Sequence, residues 1–135
     1  MIGLDTNVLA RYLAQDDAKQ AAMATRFIER DLSAAHPGFV SLVVLVELCW
    51  VLKRLYGATQ DELVATVEDL LSAAQFQVEQ REVVQAATQW MRGRKRSKAG
   101  FTDVLISQIA KKQGCERTVS FDRNAVRSAG MVLLA

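Results

Sequence analysis

Short apolar runs alternate with amphipathic segments along this chain, a pattern that predicts an α/β architecture with helices packed on a mainly parallel sheet. Met1–Leu4 reads as a first strand, stopped by Asp5-Thr6-Asn7, three residue types that cap helices. Val8-Leu9 and Tyr12-Leu13 then recur at helical spacing and predict a helix over Thr6–Ala14. Asp16–Leu32 reads as a second helix, with Ala21, Ala24, Phe27 and Ile28 on one stripe. Pro37–Val40 is a short strand, after which Ser41 can cap an apolar helix running to about Tyr56. Thr59 and Glu62 form a capping box for a helix bearing Leu63, Val67, Leu70 and Leu71. A brief strand at Phe76–Val78 precedes a helix from Glu82 to about Arg92. Thr102 is expected to cap a helix through Lys112, closed by Gly114. Strands at Arg117–Phe121 and Met131–Leu134 flank a short helix over Arg123–Ser128. No repeat, low-complexity tract or linker appears, so a single domain over residues 1–135 is expected.

Composition narrows the chemistry. With 135 residues, 50% of them hydrophobic and 24% charged, the chain can bury a core without staples, which argues against disordered and fibrous classes. Cys49 and Cys115 form no CxxC pair, which excludes a disulfide scaffold and a cysteine-rich zinc site and fits a reduced, cytoplasmic setting. His36 is the one histidine, so no mechanism can use one His as acid and another as base. The N-terminus meets Asp5 at once without a basic n-region. The longest apolar stretch, Phe39–Leu52, contains Glu47 and is shorter than the roughly 20 residues of a spanning helix. Neither a secretory nor a membrane segment is expected.

The formal charge of +2 combines 17 basic and 15 acidic residues, but they are unevenly placed. No Asp or Glu lies between Glu82 and Asp103, whereas Arg92, Arg94, Lys95, Arg96 and Lys98 crowd together there. The remaining 12 basic residues face all 15 acidic ones, leaving a mildly acidic body.

Four carboxylates stand apart from the solvated helix faces that hold most of the others. Asp5 ends the first strand and Asp122 follows the strand at Arg117–Phe121, so both belong at the carboxyl edge of a parallel sheet, where ligands bind. Asp103 lies in the first turn of a helix, and Glu47 sits in a helix apolar on nearly every side. A helix that apolar is expected to be buried, so Glu47 must be paired, neutral or bound to a cation. Each has a plain structural alternative: a salt bridge for Glu47, helix caps for Asp5 and Asp103, a turn for Asp122. Together, without His or Cys, they suit hard divalent cations such as Mg²⁺, which prefer oxygen ligands and support phosphodiester hydrolysis. Paired carboxylates could instead hydrolyse glycosides, but that leaves the basic run idle and lacks an aromatic-rich framework.

The strings Leu4-Asp5-Thr6-Asn7-Val8-Leu9, Val46-Glu47-Leu48, Phe101-Thr102-Asp103-Val104-Leu105-Ile106 and Val119-Ser120-Phe121-Asp122-Arg123 resemble the PIN-domain nucleases. They look most like the VapC toxins of bacterial and archaeal toxin–antitoxin pairs, over essentially the whole chain. The resemblance implies a three-layer α/β/α domain whose acidic pocket binds Mg²⁺, or Mn²⁺ in its place, and cleaves RNA to 5′-phosphate and 3′-hydroxyl ends. Asp5, Glu47, Asp103 and Asp122 match the acidic quartet, with Thr6, Asn7, Ser120 and Asn124 in supporting positions. Asp5, Glu47 and Asp103 are expected to hold the principal ion, and Asp122 to orient water or help hold a second. Where many relatives continue with another Asp and a Phe, this chain has Asn124 and Ala125, so a fifth acidic ligand is not carried over.

The basic run Arg92, Arg94, Lys95, Arg96 and Lys98 reads either as a solvated helix end or as the phosphate-binding segment that offsets repulsion between carboxylates and RNA. Trp50, Trp90, Tyr12 and Tyr56 read as core or interface residues, and His36 has no assigned role. The first three long helices carry more apolar residues than one core-facing stripe needs, which fits either burial in this chain's own core or a protein partner. The resemblance implies a homodimer and a VapB-like antitoxin whose tail blocks the pocket, in a complex that can be larger than a dimer. Two alternatives stay open: a PIN-type nuclease of housekeeping RNA processing, and a catalytically silent module that binds RNA or a partner.

Overall fold

Parallel strands joined by helices position the acidic residues. A computed structural model describes residues 1–94 and 99–134. The chain forms two compact units, Met1–Arg81 and Glu82–Ala135.

In the first unit, β1 (Ile2–Gly3), β2 (Gly38–Val40) and β3 (Phe76–Val78) form a parallel sheet in the order β1-β2-β3. Ile2 pairs with Gly38, and Gly38 in turn with Phe76. The strands alternate with α1 (Thr6–Ala14), α2 (Ala18–Arg26), α3 (Leu42–Tyr56) and α4 (Gln60–Ser72). Helix α1 packs on both α2 and α3, and α4 packs on α3 and β3. Leu9, Ile28, Val40, Leu45 and Val64 are among the side chains buried at the centre of this unit.

The second unit contains α5 (Arg81–Arg92, which begins one residue before it), α6 (Phe101–Lys112) and α7 (Arg123–Ser128). Its strands β4 (Val119–Ser120) and β5 (Val132–Leu133) form a parallel pair. Val84, Ala87, Phe101, Val104, Leu105 and Ala125 are among its buried side chains. No described helix is long and apolar enough to cross a membrane.

Local chemistry explains the helix ends. Ser41 Oγ accepts the Val44 N–H at 3.1 Å to start α3. Gly57, in the left-handed region at φ 66°, closes it with an N–H bond to Lys53 O. The predicted capping box of α4 is complete, with Thr59 Oγ1 accepting from Glu62 N–H and Glu62 Oε1 from Thr59 N–H.

Several expectations need correction. The segment expected as one helix over Asp16–Leu32 starts after its Asp17 cap and widens into a π turn at Phe27–Asp31. The strands are shorter than the apolar runs that contain them, and hydrogen bonding divides them into three and two rather than one ladder. Thr102 is not the cap of α6. Gly100 takes that position, and Thr102 lies inside the first turn because the buried Phe101 is already helical. Of the residues read as core or interface, Trp50 and Tyr56 are exposed, which removes the core alternative for them, since α3 buries only the face bearing Leu45, Leu48, Cys49 and Leu52.

Candidate active site

The carboxylates of the proposed quartet fall two to each unit, and their local settings differ. Asp5 follows β1 directly. The preceding Leu4 is held by its N–H bond to Phe39 O at 3.0 Å and by a buried side chain. Asp5 occupies the N-cap of α1 in an extended conformation, yet its side chain makes no capping hydrogen bond. An aspartate at an N-cap usually accepts an N–H of the first turn; here the carboxylate is exposed and unspent.

Next to it, Thr6 is 3% exposed and its Oγ1 has no hydrogen-bond partner. A buried hydroxyl left unmatched costs about 1–3 kcal/mol. An oxygen carboxylate free of its cap beside an orphaned buried hydroxyl is a donor set that fits a hard cation and its water shell. Asn7 is exposed and lines a groove of about 360 Å³ with Val8, Arg11, Gln20, Met23, Ala24 and Phe27.

Glu47 overturns one premise of the sequence reasoning. It is exposed, because α3 turns an apolar face outward: Val43 is 78% and Trp50 57% exposed. Leu42, Val43, Val46, Glu47 and Trp50 line a groove of about 570 Å³. Glu47 therefore faces solvent and needs no buried partner. Glu79, which sequence reasoning passed over, helps set this helix by accepting the Leu42 N–H through Oε1 at 2.8 Å. Its only signal was its place just after β3, where an acidic group suits a neighbouring helix N-terminus.

In the second unit, Asp103 is the third residue of α6 and is half-buried. Its Oδ2 accepts the Gly100 N–H at 3.3 Å, the cap-like role considered for it. Asp122 caps α7, with Oδ1 accepting from Asn124 N–H at 2.8 Å and from Ala125 N–H at 3.4 Å. Ser120 Oγ accepts the Asp122 N–H at 2.9 Å, so Ser120 and the backbone of Asn124 hold this carboxylate in place. Among the described residues, no three His, Cys, Asp or Glu side chains are grouped as a metal ion requires.

Of the basic run, Lys95, Arg96 and Lys98 lie outside the described residues; Arg92 ends α5, and the Arg94 guanidinium stacks over the Trp90 ring, 3.5 Å from its centroid. Cys49 is no nucleophile, since burial pushes its thiol up to about 12.

A cluster outside the quartet was also missed. Arg11 forms an ion pair with Asp16 at 3.0 Å, and the Tyr56 hydroxyl donates to the same carboxylate. The Tyr56 bond, followed by Arg11, holds Asp16 below the usual carboxylate range, and the bond to Asp16 raises Tyr56. Arg11 of α1, Asp16 of the link between α1 and α2, and Tyr56 of α3 meet here, a convergence that no spacing in the sequence displays.

Comparison with known proteins matches the chain to a family. The PIN-domain family model matches residues 2–130. A VapC ribonuclease of Aquifex aeolicus (strain VF5) is 30% identical over 120 residues, covering 89% of this chain and 86% of that protein. Among solved structures, Mycobacterium tuberculosis VapC20, a Sarcin-Ricin loop cleaving toxin, is 21% identical with a TM-score of 0.45, covering 98% of this chain and 97% of that one. On the family match and the curated relative, with helices alternating with parallel strands throughout, the chain belongs to the PIN-domain family.

Proposed function

We propose that this chain is a metal-dependent endoribonuclease of the VapC type, the toxin of a toxin–antitoxin pair. The observation that carries the reading is Asp5: a carboxylate fixed at the end of a parallel strand, not used by the helix it caps, beside the unpartnered hydroxyl of Thr6. The 30% identity to a VapC ribonuclease supports the same reading from outside the site.

Asp5, Glu47, Asp103 and Asp122 would hold Mg²⁺, with Mn²⁺ as a substitute. The ion supplies charge neutralisation and activation of water for attack on phosphorus. The chain's own residues do the rest. Asp122, fixed through Oδ1 by the α7 N-terminus, orients the attacking water. Thr6 and Asn7 support Asp5, and Ser120 and Asn124 hold Asp122 in place. Arg92, Arg94, Lys95, Arg96 and Lys98 bind the RNA backbone and offset its repulsion from the carboxylates. Exposed apolar side chains, Met23, Val43, Trp50 and Leu55 among them, support docking of a VapB-like antitoxin and assembly as a homodimer in the cytoplasm. All of residues 1–135 form one functional domain in this reading.

The test is cleavage of end-labelled RNA by the full chain in Mg²⁺ against excess EDTA, with Asp5→Asn alongside. Cleavage to 5′-phosphate ends that EDTA and Asp5→Asn both abolish is expected. Equal cleavage with and without EDTA would overturn the metal assignment. Cleavage by Asp5→Asn at the wild-type rate would remove Asp5 from the site.

A further inference from the structure

A ribonuclease of this kind needs cations to offset the charge of the RNA backbone, and one arginine of the basic run has a defined seat. The Arg94 guanidinium lies over the Trp90 ring, 3.5 Å from its centroid. The ring is itself held. Its Nε1–H donates to the Ser128 carbonyl at 2.8 Å. Gly130 lies beside its edge: a Cβ there would stand at ordinary contact distance, 3.5 Å from Cη2 and 3.8 Å from Cζ2. Gly130 has a φ of 72°, a conformation that favours glycine, so the turn leaving α7 carries the backbone past the indole edge. All of these groups belong to the second unit.

Stacking orders a guanidinium without using it up. The face of the cation rests on the π-system while the N–H donors at its rim stay in plane, free for a bidentate bond to a phosphate. Among the described residues no carboxylate pairs with Arg94. An unsupported surface arginine would lose rotamer freedom on binding RNA, a cost that the stack has already removed. We infer that Trp90 is a positioning residue that pre-orders Arg94 as a fixed phosphate contact for the RNA backbone. The inference rests on the ribonuclease reading and adds the part played by Trp90, Ser128 and Gly130.

The experiment is a binding titration of fluorescein-labelled oligouridylate with the full chain in EDTA, repeated over a series of KCl concentrations. Arg94→Ala should weaken binding about tenfold at low salt. It should also flatten the slope of log affinity against log salt by about 0.7, the value of one lost phosphate contact on a single strand. Trp90→Leu should weaken binding about three- to fivefold with the slope retained, because the charge remains and only its ordering is lost. In the Arg94→Ala background, Trp90→Leu should cause no further loss. An equal loss in both backgrounds would mean that Trp90 acts through general structure, which overturns the inference. Trp90→Phe keeps the stacking face and loses the bond to Ser128. It should give a smaller loss with the same non-additivity, and it serves if Trp90→Leu fails to fold. A parallel assay in Mg²⁺ separates the two claims. If the wild type cleaves RNA and Arg94→Ala binds like the wild type, this inference alone falls; if the wild type neither binds nor cleaves RNA, the ribonuclease reading falls with it.

Discussion

Adding one methyl group at Gly38 should damage the fold more than its size suggests. Gly38 lies in β2, paired with Ile2 of β1 and Phe76 of β3. A Cβ there would stand 2.7 Å from Leu4 Cδ1, 2.8 Å from Leu32 Cδ1 and 3.0 Å from Leu4 Cγ. Carbon atoms prefer about 3.5–4.0 Å, so the new methyl is roughly an ångström too close to two side chains. Leu4 and Leu32 are 6% and 5% exposed and have little room to retreat. Overpacking of this kind costs about 1–3 kcal/mol. Removing a glycine from a strand returns roughly 0.5–1 kcal/mol, which leaves a net loss of up to about 2.5 kcal/mol with a midpoint of about 1. For 135 residues that midpoint lowers the melting temperature by roughly 4 °C. Gly3→Ala in the adjoining strand is the matched control, since its Cβ meets nothing within 4 Å. Thermal unfolding followed by circular dichroism compares the two, and adding Leu32→Val to Gly38→Ala should recover part of the loss. If Gly38→Ala melts no lower than Gly3→Ala, the steric reasoning is wrong. Because Leu4 adjoins Asp5, the same variant should also cleave RNA more slowly than its residual stability accounts for.

Three further outcomes can be checked directly. Thr6→Val replaces a buried, unpartnered hydroxyl with a methyl of similar shape, so it should raise stability by about 1 kcal/mol in urea titrations while weakening Mg²⁺-dependent cleavage; an unchanged cleavage rate would separate Thr6 from the site. Ser41→Ala removes the side-chain cap of α3 and should cost about 1 kcal/mol, read as a lower urea midpoint at unchanged slope. The bond from Tyr56 to Asp16 should make stability pH-dependent in both directions. The carboxylate is held low, so its contribution is present above the ordinary value near 3.9 and lost as pH falls through the lower folded value; the phenol is raised, so its contribution is present below about 10 and lost as pH climbs through the higher folded value. The stability difference between wild type and Tyr56→Phe should therefore be constant near neutrality and vanish at both extremes; a difference that persists at both extremes would refute the coupling.

The parts of this protein that were legible in its sequence are those governed by local rules. The Ser41 cap, the Thr59–Glu62 box and the bounds of Arg123–Ser128 follow from side chains that meet their backbone within a turn. The ordering of strands and helices came from apolar period. Hydropathy failed at α3, because an apolar residue reads alike whether it faces this chain's core or the outside, and Glu47 was judged buried on that ground. Sequence rules point to Thr102 as the cap because they favour a side-chain acceptor, whereas Asp103 reaches back to the Gly100 N–H without one. The bond from Tyr56 to Asp16 joins residues 40 apart and leaves no spacing to find, whereas the seat of Arg94 on Trp90 follows an i, i+4 spacing at the end of α5 that the hydropathy pattern does not single out.

Among the described residues every ladder is parallel, and β1 is both two residues long and at the edge of its sheet. Parallel neighbours cannot be closed by a tight turn, so β1 finds its partner only after α1 and α2 have crossed over it. In kinetic terms the strand that carries Asp5 belongs to the late, non-local class of contacts, and refolding should be slower than the high helix content implies. The same brevity governs opening of the native state. The Ile2 and Leu4 amide bonds to Pro37 and Phe39 form the backbone tether of β1, and their loss costs far less than global unfolding. Amide exchange at Leu4 should therefore outpace that at Val40 in the central strand. Asp5, the carboxylate proposed to lead hydrolysis, is thus hung from the shortest strand of its sheet, where a local excursion would disarm it while the helices stay folded.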